Sequence, residues 1–505
     1  MNLSKFVIIL GVLAIFLFGF LITLVILDPI IWLAVYEKTE LKSGTPSFQQ
    51  WMDPTIDIFF EAYFFNLTNP DEFLSGKKPI VQQVGPYTYR ERRFKTEVKR
   101  SLYPTMFTYK EVKQYFFDLD RSAGPETDPI TTVSMGYLGV DVKFGWLPEL
   151  VTKVVEFLEN RTGEHLIITR SVHELMWGYE DPFLALLKKA FIPVPNTMVG
   201  LYLDKNNTDD GIITIYGDNK DKQNYGHIYK YHGSTHLSCW KSDQANQING
   251  SDGSLFHPFM SPTEDPYIFS ADICRSLQLH AVGMTRLRGV PVMRYLPYTD
   301  TFTSPLKEEK NRGFCINWPD CMADNMFDVS TCIPGAPIAM SLPHFQNGDP
   351  SYRDSVIGLH ATEELNTTFY IEPITGVVFF AAKKLQINAV VKQNYRFSEL
   401  ARVKSVYLPI MFMNESFSVD DGTAGSILSS IYVGPVVTKT ILSIVVVVLA
   451  VVVISMAVYH CVRRRHMRPN SAAYTPIEDA HIAEGTTTDN DDKNESDTQP
   501  PPTVA

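Results

Sequence analysis

The sequence predicts an α+β protein: a large antiparallel sheet or barrel with a small helical bundle, held between two membrane-spanning helices. Three observations carry that expectation. Two long uncharged stretches stand near the two ends of the 505-residue chain. Between them, short strand-like runs punctuated by Pro, Gly and Asn suggest antiparallel β-structure. One part of that middle has the apolar spacing of an amphipathic helix. Composition agrees, because 45% hydrophobic and 20% charged residues suit a chain with a sizeable core and exclude collagen-like, disordered and disulfide-scaffold classes. Lys+Arg 45 against Asp+Glu 56 gives a net charge of −11. That balance argues against a nucleic-acid partner, which needs concentrated cation.

The first apolar stretch, Phe6 to Leu27, has 22 residues and no charge, about 33 Å as a helix and enough to cross a bilayer. It is too long for a signal peptide and lacks a small-residue cleavage site, so it is expected to remain as an anchor. The second span, residues 440–460, opens on the uncharged run Thr440–Tyr459. It is valine-rich but too long for a strand. Arg463, Arg464, Arg465 and Arg468 follow it, against Lys439 alone on the other flank. The positive-inside rule places residues 1–5 and 461–505 in the cytosol. Residues 28–439 then lie outside the cell or in a lumen. Six glycosylation sequons fall in that loop, at Asn66, Asn160, Asn206, Asn249, Asn366 and Asn414. Five of the six cysteines lie there too, four of them between 274 and 332. An oxidising compartment favours pairs among them, and spacing leaves the partners open.

Within the loop, Tyr87–Phe94 is strand-like and polar enough to be half exposed. The clearest hairpin joins Thr367–Ile371 to Val377–Val391 through Glu372-Pro373-Ile374-Thr375-Gly376. Leu385, Ile387, Ala389 and Val391 face one way, and Lys384, Gln386 and Asn388 the other. Asn206–Gly217 reads as a turn into another strand. Helical periodicity covers Leu147–Asn160, with Leu147, Leu150, Val151, Val154, Val155 and Leu158 on one face and Pro148 in the first turn. A second helix starts at Ser171, which has capping-box spacing to Glu174, and a third at Asp181-Pro182. These helices, across about 145–192, either close a small core of their own or present surplus apolar surface, Val154 and Leu158 included, to a ligand.

The tail from Tyr474 to Ala505 carries eight acids and one lysine among Thr- and Pro-rich runs and is expected to be disordered. Tyr474 and Ile477 fit a Tyr-x-x-hydrophobic sorting signal for clathrin adaptors. Cys461, at the membrane edge beside the arginines, is a palmitoylation candidate. No nucleophile elbow, zincin, P-loop or dinucleotide fingerprint is present, so no enzyme activity or cofactor is expected. His173-Glu174 begins a zincin motif, but Trp177 stands where its second histidine belongs. His227, His232 and His236 read as ordinary surface histidines. Without CxxC or paired-histidine spacing, no metal is expected.

Several stretches together resemble the class B scavenger receptor family: Val84-Gly85-Pro86-Tyr87-Thr88-Tyr89-Arg90, Glu174–Phe183, Ile248–Gly253, Asp272–Ser276, Ser341-Leu342-Pro343-His344-Phe345 and Ile371–Gly376. The resemblance covers residues 5 to about 460. It implies an antiparallel β-barrel-like ectodomain with an apical helical bundle and an apolar tunnel toward the bilayer. It also implies pairing of Cys274 with Cys332. Cys315 and Cys321 look like the lysosomal integral membrane protein branch of the family. A further family cysteine aligns with Ala245 and is missing; Cys239, six residues earlier beside Trp240, is expected free and buried. Some members carry lysines after a sequon at the apex. Here that stretch is Asn160-Arg161-Thr162-Gly163-Glu164-His165, where Arg161 keeps one cation, Glu164 weakens the patch and His165 adds a titratable group. The function implied is a receptor that binds lipids (fatty acids, sterols, phospholipids) or lipoproteins and passes lipid through the tunnel. The alternative is a receptor for protein cargo, a lysosomal enzyme or phagocytic ligand, docking on the helices. A two-span ion channel shares this topology, but Thr440–Tyr459 offers few polar pore positions. The expected location is the plasma membrane with an endosomal or lysosomal pool.

Overall fold

The computed structural model describes residues 3–21, 27–102, 104–194, 196–333 and 335–466. Thirteen strands form one sheet, antiparallel at every pairing. Its centre is Val378–Val391, Val406–Ser418, Ile58–Leu67, Val81–Leu102 and Thr105–Asp118, in that order. The sheet continues on one side through Thr368–Ile371, Val290–Pro297, Arg275–Leu287 and Tyr267–Ser270, and on the other through Thr208–Tyr216 and Ile228–Tyr231, and so nearly closes into a barrel. Rows of aromatic and β-branched residues explain these strands. In Ile58–Leu67, Ile58, Phe60, Ala62 and Phe64 are all buried.

The expected hairpin is present, with Phe369 opposite Ala381. Glu372 shapes its turn: fully buried, it accepts hydrogen bonds from Ile374 N, Thr375 N and the Thr375 hydroxyl. Gly376 must be glycine, since its φ is +75° and a Cβ there would lie 2.2 Å from the Phe256 carbonyl. The alternation along Val378–Val391 holds, yet two of the three residues on its polar side are not solvated. Gln386 and Asn388 are fully buried beneath Ile338–Ser341 and bond Ser341 and the Ala339 carbonyl.

Four helices occupy 135–189. Met135–Phe144 and Glu149–Glu159 both pack on Pro182–Lys189. Val172–Trp177 starts with the expected capping box of Ser171 and Glu174, and Asp181 caps Pro182–Lys189 through Phe183 N and Leu184 N. The expected apolar stripe along Leu147–Asn160 is split, with Val155 buried and Leu147 and Leu158 packed on the core. Thr152, Val155 and Glu159 are buried, whereas Leu150, Val151, Val154 and Phe157 are exposed.

The chain divides into two units, residues 20–443 and the rest. Leu3–Leu21 is helical and Leu27–Thr39 forms a second helix. At the C-terminal end, the helical stretch Asp421–His466 is the single one among the described residues long and apolar enough to cross a membrane. Residues 22–26, inside the expected first span, and the whole tail with Tyr474 and Ile477 lie outside the described residues.

His344, in the Ser341–Phe345 motif, is 4% exposed with φ +55°. Its Nε2 lies 2.7 Å from Gln83 Oε1, and its Nδ1 accepts the His360 N–H at 3.0 Å. The ring is therefore neutral with its proton on Nε2. Burial, with His360 nearby, lowers its pKa to about 4. An unfolded histidine titrates near ~6.5, so between those values the unfolded chain binds more protons and stability falls as pH falls. From pH 7 to pH 5 this group should remove about 1–2 kcal/mol. Unfolding midpoints at the two pH values should lie closer together in His344→Gln than in wild type. Equal separations would refute the assignment.

Candidate functional site: a large apolar cavity crossed by a belt of charges

The barrel encloses a cavity of about 1950 Å³, larger than the ~300–1,000 Å³ usual for small-ligand sites. Met135, Leu175, Phe256, Met340, Leu385 and Phe417 represent its apolar lining. The lining runs from the helix Met135–Phe144 to residues that adjoin the terminal helical segments in sequence: Lys38 and Thr39 at one end of the chain, Asp420 and Thr423 at the other. Cys274 and Cys332 form a disulfide in its wall, and Cys315 pairs with Cys321, as the family resemblance implied. Cys239, also lining the cavity, is free but half-exposed rather than buried. Its position in the cavity wall keeps it partly accessible from the open interior.

A belt of ionised side chains crosses this apolar space. Strand pairing sets Arg93 opposite Lys113, Lys95 opposite Glu111 and Lys383 opposite Glu415. Arg93 binds both Glu91 and Glu415, and Lys383 bridges Asp272 at 2.6 Å and Glu415 at 3.2 Å. Lys95 pairs with Glu111 at 2.8 Å, and Lys113 lies 3.5 Å from Asp210. Burial works against ionising Glu415, but Arg93, Lys383 and Lys113 outweigh it and hold its carboxyl well below the usual range. The same contest leaves Glu111 at about 2. At Glu91 burial wins, and its carboxyl is pushed up despite Arg93. The belt is close to charge-balanced, so it presents polar atoms to the cavity without attracting one sign of charge.

The sequence did not reveal this belt. Glu91-x-Arg93-x-Lys95 and Glu111-x-Lys113 show the two-residue alternation of one strand face, a signal ordinarily read as the solvent side. In a barrel whose interior is partly empty, the inward face can carry it.

The expected ligand residues separate. Val154 is exposed and Leu158 half-buried against the neighbouring core. Arg161 is exposed, its guanidinium 5.1 Å from the Phe157 ring centre. Glu164 is buried and ion-paired to Arg170, so it faces no ligand. His165 is exposed and 2.8 Å from Glu399. Among the sequons, Asn160, Asn206 and Asn249 are exposed; Asn66, Asn366 and Asn414 are half-buried. Cys461 is free on the long C-terminal helix.

The chain is similar to lysosome membrane protein 2 from Homo sapiens, 34% identical over 80% of this chain and 84% of the relative. It is similar to scavenger receptor class B member 1 from Sus scrofa, 31% identical over 82% and 81%, and from Bos taurus, 30% over 84% and 82%. Residues 9–461 match the CD36 family, and the chain belongs to that family.

Proposed function

We propose that this chain is a two-span membrane glycoprotein, a receptor rather than an enzyme, that takes lipid from a carrier and passes it through the barrel cavity to the membrane. One observation carries the reading: the cavity's lining extends from the helix Met135–Phe144 to Leu41 and Ile427, apolar residues next to or within the terminal helical segments. Exposing an acyl chain to water costs ~0.8 kcal/mol per CH₂. A lined passage removes that barrier, and the charge belt gives the head group polar partners on the way. Both termini are cytosolic in this reading. The protein cycles between plasma membrane and endolysosomes through Tyr474 and Ile477, with clathrin adaptors as tail partners, Cys461 palmitoylated and the six sequons glycosylated.

The test is uptake of labelled fatty acid and cholesteryl ester by cells expressing the receptor. Ala336 and Ala381 both line the cavity. Ala336→Trp and Ala381→Phe should cut uptake by roughly an order of magnitude, since the chain must then cross water, with surface biotinylation unchanged. Normal uptake by both surface-delivered variants would remove the tunnel.

Protein cargo is the second reading, favoured by the exposed row Leu150, Val151, Val154 and Phe157. Large exposed apolar patches mark interaction sites. Under it, Val154→Asp and Phe157→Asp abolish pull-down of a lysosomal hydrolase and leave lipid uptake intact. Retained pull-down would end this alternative.

A further inference from the structure

Away from the cavity, the C-terminal end of the helix Glu149–Glu159 meets the loop that follows Val378–Val391. Ligand-type atoms of Glu159, His165 and Glu399 lie there within 4.8 Å of one another. Glu159 is only 2% exposed, and among the described residues no hydrogen bond or ion pair reaches its carboxylate. Glu399 is held in place from the other side, since it accepts the Leu166 N–H while its second oxygen lies 2.8 Å from His165 Nδ1.

An independent group points to the same spot. Tyr137, on the neighbouring helix, is 2% exposed, and its hydroxyl has no hydrogen-bond partner. Burial pushes its phenol up, and of its charged neighbours Glu159 acts on it most, followed by Glu399. Its ring packs edge-on against Phe397, two residues before Glu399. The carboxylate of a buried glutamate, without a partner, thus stands beside a histidine, and the neighbouring helix brings in a buried hydroxyl that also lacks one. Each would be costly left alone, and one bound cation with its water satisfies both.

We propose that Glu159, His165 and Glu399 form a zinc site, with the Tyr137 hydroxyl bonded to a water on the ion. One imidazole and two carboxylates are ligand types zinc accepts, and three protein ligands leave a fourth tetrahedral position open to water. Calcium asks for six to eight oxygens and magnesium for a mostly hydrated octahedron. The His165 side chain is 54% exposed and gives the ion a way in. Glu399 stands 234 positions from His165, which is why no sequence spacing announces the site. The ion would clamp the helix bearing the exposed Leu150, Val154 and Phe157 row to the barrel. The inference is independent of the lipid reading.

The experiment uses full-length, detergent-solubilised glycoprotein, stripped with chelator, equilibrated with zinc chloride and counted for metal by mass spectrometry. His165→Ala, an exposed change that leaves the fold intact, and Glu159→Gln should each lose one zinc per chain at concentrations that saturate wild type. Hydrogen exchange across residues 149–166 should slow on adding zinc to wild type and not to His165→Ala. Equal zinc content in wild type and His165→Ala overturns the site, as does protection that calcium reproduces.

Discussion

Glu415→Ala is expected to destabilise the protein by about 3–5 kcal/mol, the usual loss when one partner of a buried ion pair is removed. Glu415 stands between two cations, Arg93 and Lys383, deep in the barrel. Its removal does not simply subtract two attractions. It leaves Arg93 with Glu91, whose carboxyl burial already pushes toward the neutral form. Lys383 keeps only Asp272. The loss is comparable to much of a typical domain's ~5–15 kcal/mol of stability, so most of the variant should fail folding quality control. Its glycans should stay sensitive to endoglycosidase H, and surface biotinylation should fall. Glu97→Ala is the control. Glu97 pairs with Lys110 at 3.0 Å, but its side chain is 61% exposed, and such pairs contribute under ~1 kcal/mol. If the two variants reach the surface equally, the belt is bathed in water and its ion pairs hold nothing together.

How much of this was legible depended on the range over which each feature is encoded. Helix starts at Ser171 and Asp181 and the hairpin turn at Glu372–Gly376 are local devices, written in four to six consecutive residues, and they stand where the sequence places them. The orientation of Glu149–Glu159 was not legible. Apolar spacing identifies a stripe, but Thr152, Val155 and Glu159 are buried where the helix packs against its neighbour Pro182–Lys189. The polarity of Gln386 and Asn388 was equally misleading, since it takes Ile338–Ser341, some 45 residues away, to cover and satisfy them. The cavity is harder still. Emptiness has no residue type, and inward-pointing Arg93, Lys95 and Lys113 share their pattern with an ordinary wet strand face.

Cys332→Ser should cost about 4 kcal/mol, while Cys321→Ser should cost about 2, by the loop-closure entropy each crosslink removes from the unfolded chain. The Cys274–Cys332 bridge spans 58 positions and the Cys315–Cys321 bridge only 6. Structure within the longer loop sharpens the difference. From Thr299 to Phe314 the chain forms only short 3-10 turns, and the next strand, Met326–Asp328, has three residues. Little ladder hydrogen bonding therefore holds that segment when the crosslink is gone. Cys274 itself sits in the left-handed region at φ +46°, with its carbonyl accepting the Trp240 indole N–H at 2.7 Å, so the bridge also anchors Trp240 and the wall beside it. Because Cys274 and Cys332 both line the cavity, the longer bridge should, under the proposed lipid passage, matter to uptake as well as to folding. The double variant Cys274→Ser/Cys332→Ser, which leaves no stray thiol, should unfold at a markedly lower temperature than Cys315→Ser/Cys321→Ser. Whatever fraction reaches the surface should take up lipid poorly. If the short loop proves the more costly to open, the long one is already held by packing, and chain entropy is not what the Cys274–Cys332 bond contributes.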